Sequence, residues 1–282
     1  MKAKKIKVIN KLDKLDTIIN YIFLKQSTIE NSCNLFPKTL NEINIELSKI
    51  LSHKNDFIVS IKNNENISGI GIFFYEPNEK YIECMGGFFN DESDFRLIMK
   101  YLKKKHNKHH IDFIFPLENT NVLSYLKNIN GIFDKPEIYL EVDYKSFIQK
   151  KCKINITELS KENYELYLKV HNDQNIYWTG KRIIEAPEIF KVFIIANKEK
   201  IEGYINITYG KQTNEIYKLF VENENIEYME ALINAAVTNV LCKDSKLVVL
   251  VDLEDIKKIS LYKNFGFTEK YTSQTVSIDI LR

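Results

Sequence analysis

The sequence predicts a mixed α/β protein built from two copies of one fold unit. Three observations predict it: a pattern that recurs after 134 positions, alternating strand and helix signals within each copy, and a length that suits two domains. At 282 residues, the chain provides roughly 140 residues for each copy.

The repeat is clearest around two glycines. Gly69 and Gly203 each follow an apolar strand and a polar turn, and each opens a strand that alternates with period two. The next strand, around Ile82 and Ile216, has the same offset of 134 positions. We therefore expect the register of the two copies to hold across three strands.

The rest of each copy follows one order: a helix, an apolar strand, a short helix and a closing strand. The long helices carry an apolar stripe, formed by Phe95, Ile98, Met99 and Leu102, and by Met229, Leu232, Ile233, Ala236 and Val240. Apolar strands follow at 111–115 and 247–251, and period-two strands at 137–142 and 275–280. This order predicts a mixed, mostly antiparallel sheet flanked by helices, in domains 1–149 and 150–282.

Composition narrows the class of partner. Lys and Arg number 40 against 38 Asp and Glu, so the net charge of +2 gives no basic footprint for nucleic acid. No apolar run approaches the roughly 20 residues of a membrane helix, and the N-terminus lacks a signal-peptide pattern. Four scattered cysteines are typical of reduced thiols. We expect a cytoplasmic protein with no nucleic-acid or membrane partner; the oligomeric state is not readable.

The second copy contains a recognisable combination of segments. Glu215–Val221 reads as a strand, a helix starts near Asn225, Leu247–Val251 is an apolar strand, and Leu261–Phe267 reads Leu-Tyr-Lys-Asn-Phe-Gly-Phe. Together these segments resemble the GNAT superfamily of acyl-CoA-dependent N-acetyltransferases. The resemblance covers residues 152–282 well and reaches 5–148 only through the repeat, so we expect a tandem GNAT protein whose C-terminal domain is the active one.

The resemblance implies transfer of an acetyl group from acetyl-CoA, as co-substrate, to the amine of a small molecule or peptide. It implies that Tyr262 protonates the leaving thiolate and that Glu215 is the catalytic base. It assigns acetyl-CoA binding to the following five residues: Leu219, Phe220, Val221, Asn225 and Asp255. Tyr177 and Trp178 would form the acceptor side of the cleft, and no metal is implied.

The pyrophosphate loop departs from the family pattern. GNAT proteins cradle the CoA pyrophosphate on the N–H groups of a glycine-containing loop at a helix N-terminus. Here residues 221–230 contain no glycine and four glutamates, and the first copy has Asp91, Glu92 and Asp94 at the matching point. Carboxylates there already satisfy the helix dipole and would repel a pyrophosphate.

Two alternatives therefore stay open beside the acetyltransferase. One is a non-catalytic GNAT-fold module that binds or regulates without CoA, and the other is a transferase with a larger acyl donor. Tyr164, Tyr167 and His171 share one helical face, which is typical of a core. His106, His109 and His110 among lysines are typical of a solvated helix end and not of a metal site.

Overall fold

The computed structural model of the chain describes residues 4–9, 15–33, 36–171, 178–210 and 213–280. The contacts divide the chain into two compact units, one of residues 1–136 with 271–282 and one of residues 137–270. Both combine helices with a mixed sheet, so the predicted fold class is confirmed.

The first unit is an antiparallel run of strands that ends in one parallel pair. Its elements are β1 (Lys5–Ile9), α1 (Leu15–Gln26), α2 (Leu40–Ser52), β2 (Phe57–Asn63), β3 (Asn66–Glu76), β4 (Tyr81–Phe89), α3 (Glu92–Lys105), β5 (His110–Pro116), α4 (Thr120–Asn128) and β6 (Ile132–Phe133). Strands β1 to β4 pair antiparallel in sequence order, and β4 pairs parallel with β5.

The second unit repeats this plan. Its elements are β7 (Glu137–Asp143), β8 (Thr157–Glu158), α5 (Tyr164–Val170), α6 (Gly180–Glu185), β9 (Phe190–Ala196), β10 (Ile201–Thr208), β11 (Thr213–Val221), α7 (Ile226–Val240), β12 (Lys246–Asp252), α8 (Ile256–Lys263) and the start of β13 (Thr268–Asp279). Strands β8 to β11 pair antiparallel, and β11 pairs parallel with β12.

The two closing strands are exchanged between the units. β7 follows the first copy along the chain but pairs antiparallel with β12 of the second unit. β13 follows the second copy, and its residues 273–279 pair antiparallel with β5 of the first unit. The compact units therefore differ from the predicted ranges 1–149 and 150–282 by this exchange. A period-two pattern identifies a strand, but it does not identify the edge that the strand joins.

The helical stripes bury the predicted side chains. Phe95, Ile98, Met99 and Leu102 of α3 are buried, as are Met229, Leu232, Ile233 and Ala236 of α7, while Val240 is partly buried. In the second unit, a Cβ added at Gly203 would lie 3.1 Å from the side chains of Leu232 and Val221. The glycine thus allows helix α7 to pack closely on the sheet.

The register of the repeat shifts at a β-bulge in each unit. On β3 and β10, the bulge comes directly after Ile72 and Asn206, which are still 134 positions apart. On β4 and β11, which pair with these strands, the extra residues are Met85 and Tyr217, which are only 132 positions apart. The prediction of one register across three strands was therefore wrong, because the second hairpin is two residues shorter. With the offset of 132 positions between β4 and β11, Glu83 in the first unit is the equivalent of Glu215 in the second.

Among the described residues, no helix combines the length and apolar character needed to cross a membrane.

Candidate active site

A cleft opens in the second unit where its two parallel strands part. β11 pairs with β12 only from Thr213 to Glu215, opposite Lys246 to Val248, although both strands continue beyond these residues. The cleft has a volume of about 220 Å³. It is lined by Ile216, Tyr217, Lys218, Leu219, Val249, Leu250, Val251, Asp252, Asp255, Lys258 and Tyr262.

The β11 wall contains the bulge at Tyr217. Lys218 faces Asn206 of β10 and Ile216 faces Ile207, so Tyr217 is the extra residue on β11. A bulge leaves its extra residue out of the regular ladder and turns the backbone locally. The backbone at Tyr217 and Lys218 is therefore the irregular part of the cleft wall, suited to face a bound molecule.

Tyr262 reaches the cleft from α8. The side chain is 2 % exposed, and its ring packs edge-to-face on Phe267 with centroids 5.2 Å apart. Burial, and secondarily the charge of Asp255, raise the pKa of Tyr262 above its usual value. The hydroxyl is therefore protonated at neutral pH and can act as a hydrogen-bond donor.

Asp255 caps the N-terminus of α8 and lines the cleft. Its carboxylate accepts a hydrogen bond from the Lys258 backbone N–H at 3.0 Å and pairs with the Lys258 ammonium at 2.9 Å. Burial alone would raise the pKa of Asp255, but the bonds from Lys258 lower it. The carboxylate is thus ionised and used in capping the helix, which leaves its predicted role toward acetyl-CoA a prediction.

Glu215 lies at the last paired position of β11, beside the cleft and not among its lining residues. Its charge acts on two tyrosines. Burial, then the charges of Glu141 and Glu215, raise the pKa of Tyr139 to about 12. Burial and Glu215 also raise the pKa of Tyr217. The carboxylate is therefore close to the bulge, and its role as a base stays a prediction.

The three β11 residues predicted to bind acetyl-CoA do not all lie at the cleft. Leu219 lines the cleft. Phe220 instead stacks on Tyr204 with ring centroids 5.3 Å apart, and Val221 is buried opposite Gly203. The structure thus places one of the three at the cleft, and the bulge at Tyr217 lies earlier on the strand than all three.

The predicted acceptor residues are only partly described. Tyr177 lies outside the described residues. Trp178 is half-buried, with its ring edge-to-face on Phe190 at 4.8 Å. The Phe190 ring in turn lies edge-to-face on the Tyr217 ring, with centroids 6.1 Å apart. Trp178 is therefore linked to the cleft through Phe190.

The N-terminus of α7 is closed by its own cap. The side-chain oxygen of Asn225 accepts hydrogen bonds from the N–H groups of Glu227 at 3.0 Å and Tyr228 at 3.3 Å. Glu222 and Glu230 pair with Lys200 and Lys150, so half of the four glutamates are neutralised. A pyrophosphate would have to displace the Asn225 side chain to reach these N–H groups.

The matching space in the first unit is filled by a side chain. β4 and β5 pair only as far as Cys84 and Phe113. Beyond that point the ring of Phe115 lies against Gly87, where an added Cβ would be 2.8 Å from the Phe115 Cζ atom. The equivalent positions of β4 and β11 are 132 residues apart, and those of β5 and β12 are 136 residues apart. Gly87 is therefore the equivalent of Leu219, and Phe115 is the equivalent of Val251. Both Leu219 and Val251 line the cleft of the second unit.

Sequence reasoning missed Tyr217, Lys218, Asp252 and Lys258 as cleft residues. The first two follow from the bulge, which leaves no signal in a single strand. Asp252 and Lys258 flank the predicted Asp255, and their place at the end of β12 and the first turn of α8 could have indicated them. Within the described residues, no group of His, Cys, Asp and Glu has the geometry of a metal site.

Solved structures share this fold over 78% to 99% of the chain. A GCN5-related N-acetyltransferase from Sphaerobacter thermophilus has a TM-score of 0.64 at 9% identity, over 98% of this chain and 96% of that one. A tandem GNAT protein from the clavulanic acid biosynthesis pathway has a TM-score of 0.58 at 10% identity, over 99% of both chains. A conserved protein of unknown function from Staphylococcus epidermidis has 0.56 at 13%, over 78% of this chain and 93% of that one.

The protein therefore has the tandem GNAT fold, and the predicted resemblance is confirmed at that level. No family model and no curated protein matches the sequence. Identities of 9% to 13% show the fold alone.

Proposed function

We propose that this protein is an acyl-CoA-dependent N-acetyltransferase whose working cleft lies between β11 and β12 of the second unit. One observation carries the proposal. The second unit keeps an open cleft with a buried, protonated tyrosine, Tyr262, in its wall, whereas Phe115 fills the same place in the first unit.

The reaction forms a C–N bond and breaks a C–S bond. The amine nitrogen attacks the thioester carbonyl of acetyl-CoA, the C–S bond breaks, and CoA leaves as the thiolate. In this proposal the backbone at the Tyr217 bulge polarises the carbonyl oxygen, and Glu215 accepts the surplus amine proton and passes it to solvent, from which the released thiolate takes up a proton. A thiol has a pKa of about 8.5, well below that of Tyr262, so Tyr262 acts chiefly by donating a hydrogen bond to the developing thiolate.

The residues fit part of acetyl-CoA. The parted strands suit the narrow thioester arm, while the capped N-terminus of α7 suits the pyrophosphate poorly, because Asn225 already occupies its N–H groups. The same cap favours the second candidate function, a GNAT-fold binding or regulatory module that has lost CoA.

Release of free thiol from acetyl-CoA tests the proposal. The assay would present spermidine, glucosamine and glycinamide as separate acceptors, with mass spectrometry of the acetylated amine as the readout. Amine-dependent thiol release supports the acetyltransferase. Absence of release with every amine, combined with no binding of acetyl-CoA, supports the module without CoA.

A further inference from the structure

A buried polar chain connects β10 with Trp178. It begins at Asn206, the β10 residue that faces Lys218 next to the extra residue Tyr217. It continues through Tyr167 of α5 and His171, which follows α5, to the main chain of Trp178.

The inner half of this polar chain, formed by Asn206, Tyr167 and His171, is buried. Tyr167 and Asn206 are 0 % exposed and His171 is 5 % exposed. The Tyr167 hydroxyl lies 3.1 Å from the Asn206 Oδ1 atom and 3.1 Å from the His171 Nδ1 atom. Buried hydrogen bonds of this kind are costly to break, because a member left without a partner loses its solvation as well.

The outer half of the polar chain joins His171 to the main chain of Trp178. The His171 Nε2 atom lies 3.4 Å from the Trp178 carbonyl oxygen, which is an acceptor, so Nε2 carries the hydrogen of this bond. The Trp178 ring packs on Phe190 with centroids 4.8 Å apart, and the Phe190 ring packs on Tyr217 with centroids 6.1 Å apart. The polar chain therefore holds the main chain of Trp178, whose ring supports the side chain of the bulge residue through Phe190.

We propose that His171 and Tyr167 are positioning residues that brace the Tyr217 bulge in the wall of the cleft, through Asn206 on β10 and through Trp178 and Phe190. Their effect on turnover rests on the proposed acetyltransferase function, since the braced backbone is the part assigned to the thioester carbonyl. The contacts by which Tyr167 and His171 support the bulge, called the brace below, do not depend on that function.

Two substitutions of His171 separate the two halves of the chain. In His171→Gln, the amide nitrogen lies near the place of Nε2 and can still donate to the Trp178 carbonyl. In His171→Asn, the shorter amide lies near the place of Nδ1 and reaches only Tyr167. Tyr167→Phe removes the inner link, and Tyr164→Phe on the same helix is its matched control.

The first readout needs no substrate, because Trp178 is the single tryptophan of the protein. Its emission and its quenching by acrylamide report the surroundings of the brace. We expect His171→Asn and Tyr167→Phe to shift the emission to longer wavelength and increase quenching, while His171→Gln and Tyr164→Phe stay close to wild type. Equal behaviour of His171→Asn and His171→Gln would overturn the brace.

The second readout is kcat for acetyl transfer to the best of spermidine, glucosamine and glycinamide. We expect His171→Asn to lower kcat by roughly 10- to 100-fold, as misplaced groups do, with His171→Gln restoring most of it and acetyl-CoA binding unchanged. An equal loss of kcat and of thermal stability in both variants would reduce His171 to a structural residue and overturn the proposal. A wild-type protein without turnover contradicts the acetyltransferase, and the fluorescence alone then decides the brace.

Discussion

The ring of Phe115 lies directly against the backbone of Gly87, at the point in the first unit where the two parallel strands part. The equivalent residues of the second unit, Val251 and Leu219, stand on opposite walls of an open cleft. One large ring against one glycine thus distinguishes a filled unit from an open one.

This contact predicts one acetyl-CoA site per chain. Phe115 is 0 % exposed, so Phe115→Ala should destabilise the first unit by about 3–5 kcal/mol in denaturant unfolding, as other buried phenylalanines do. Phe74→Ala, at a side chain 37 % exposed on β3, is the control and should cost far less. Titration calorimetry of the wild type should give one acetyl-CoA per chain; two would contradict the filled cleft.

Removing the Tyr262 hydroxyl should affect turnover and not folding. The ring of Tyr262→Phe keeps its packing on Phe267, and no described residue holds the hydroxyl, so the stability loss should stay below about 1 kcal/mol. We expect kcat to fall about 100-fold in the thiol-release assay. Tyr228→Phe, which removes a hydroxyl bonded to Glu202 on the surface, is the control. Unchanged kcat would remove Tyr262 from the mechanism.

The cap of α7 should limit the contribution of the CoA phosphates. Wild-type affinity for acetyl-CoA should exceed that for acetyl-pantetheine, which lacks the pyrophosphate, by less than about tenfold, or 1.4 kcal/mol. Asn225→Gly removes the capping oxygen at a cost of a few tenths of a kcal/mol and frees two N–H groups.

Asn225→Gly should therefore increase the preference for acetyl-CoA over acetyl-pantetheine, because the two freed N–H groups can bind the pyrophosphate. Asn225→Asp, which keeps the cap and adds a negative charge, should decrease this preference. Dissociation constants of the two thioesters measure this preference directly. If neither variant alters it, the pyrophosphate does not approach the N-terminus of α7.

The repeat, the fold class, the helical stripes and the place of Tyr262 could be predicted from the sequence, because each depends on local pattern or motif. The exchange of β7 and β13 could not, since both strands carry the same period-two pattern and either would suit either edge. The bulge at Tyr217 escaped for a similar reason, because an extra residue is visible only against the paired strand. The capping role of Asn225 is readable from the sequence, because Asn directly before a helix is a preferred N-cap residue.

Of the three histidines predicted at a solvated helix end, His106, His109 and His110, the last begins β5, is half-buried and joins two strands. Its Nδ1 atom lies 2.8 Å from Asp279 of β13 and its Nε2 atom 2.9 Å from Asp112 of β5. Burial alone would lower the pKa of His110, but the hydrogen bonds and charges of the two aspartates raise it.

A raised pKa means that the folded state binds the proton more tightly than the unfolded state. His110 therefore contributes stability that is fully present below its unfolded pKa of about 6.5 and is lost as pH rises through its higher folded pKa. The side chain is 43 % exposed, so solvent screening keeps the contribution below about 1 kcal/mol.

Urea unfolding checks this at pH 5.5 and pH 8.5, where the stability difference between wild type and His110→Gln should be larger at the acidic pH. Asp279→Asn should remove most of that pH dependence. A difference that is equal at both pH values would show that the pair with Asp279 does not hold in solution.

The central claim is that the cleft between β11 and β12 binds acetyl-CoA, and thermal unfolding with and without millimolar acetyl-CoA tests it most directly. Ligand at ~100 times its dissociation constant adds about 2.7 kcal/mol of stability. The melting temperature of the second unit should then rise by roughly 5–10 °C, and less in a variant that fills the cleft, such as Leu219→Trp. No rise at millimolar acetyl-CoA would contradict the claim and favour the GNAT-fold module that has lost CoA.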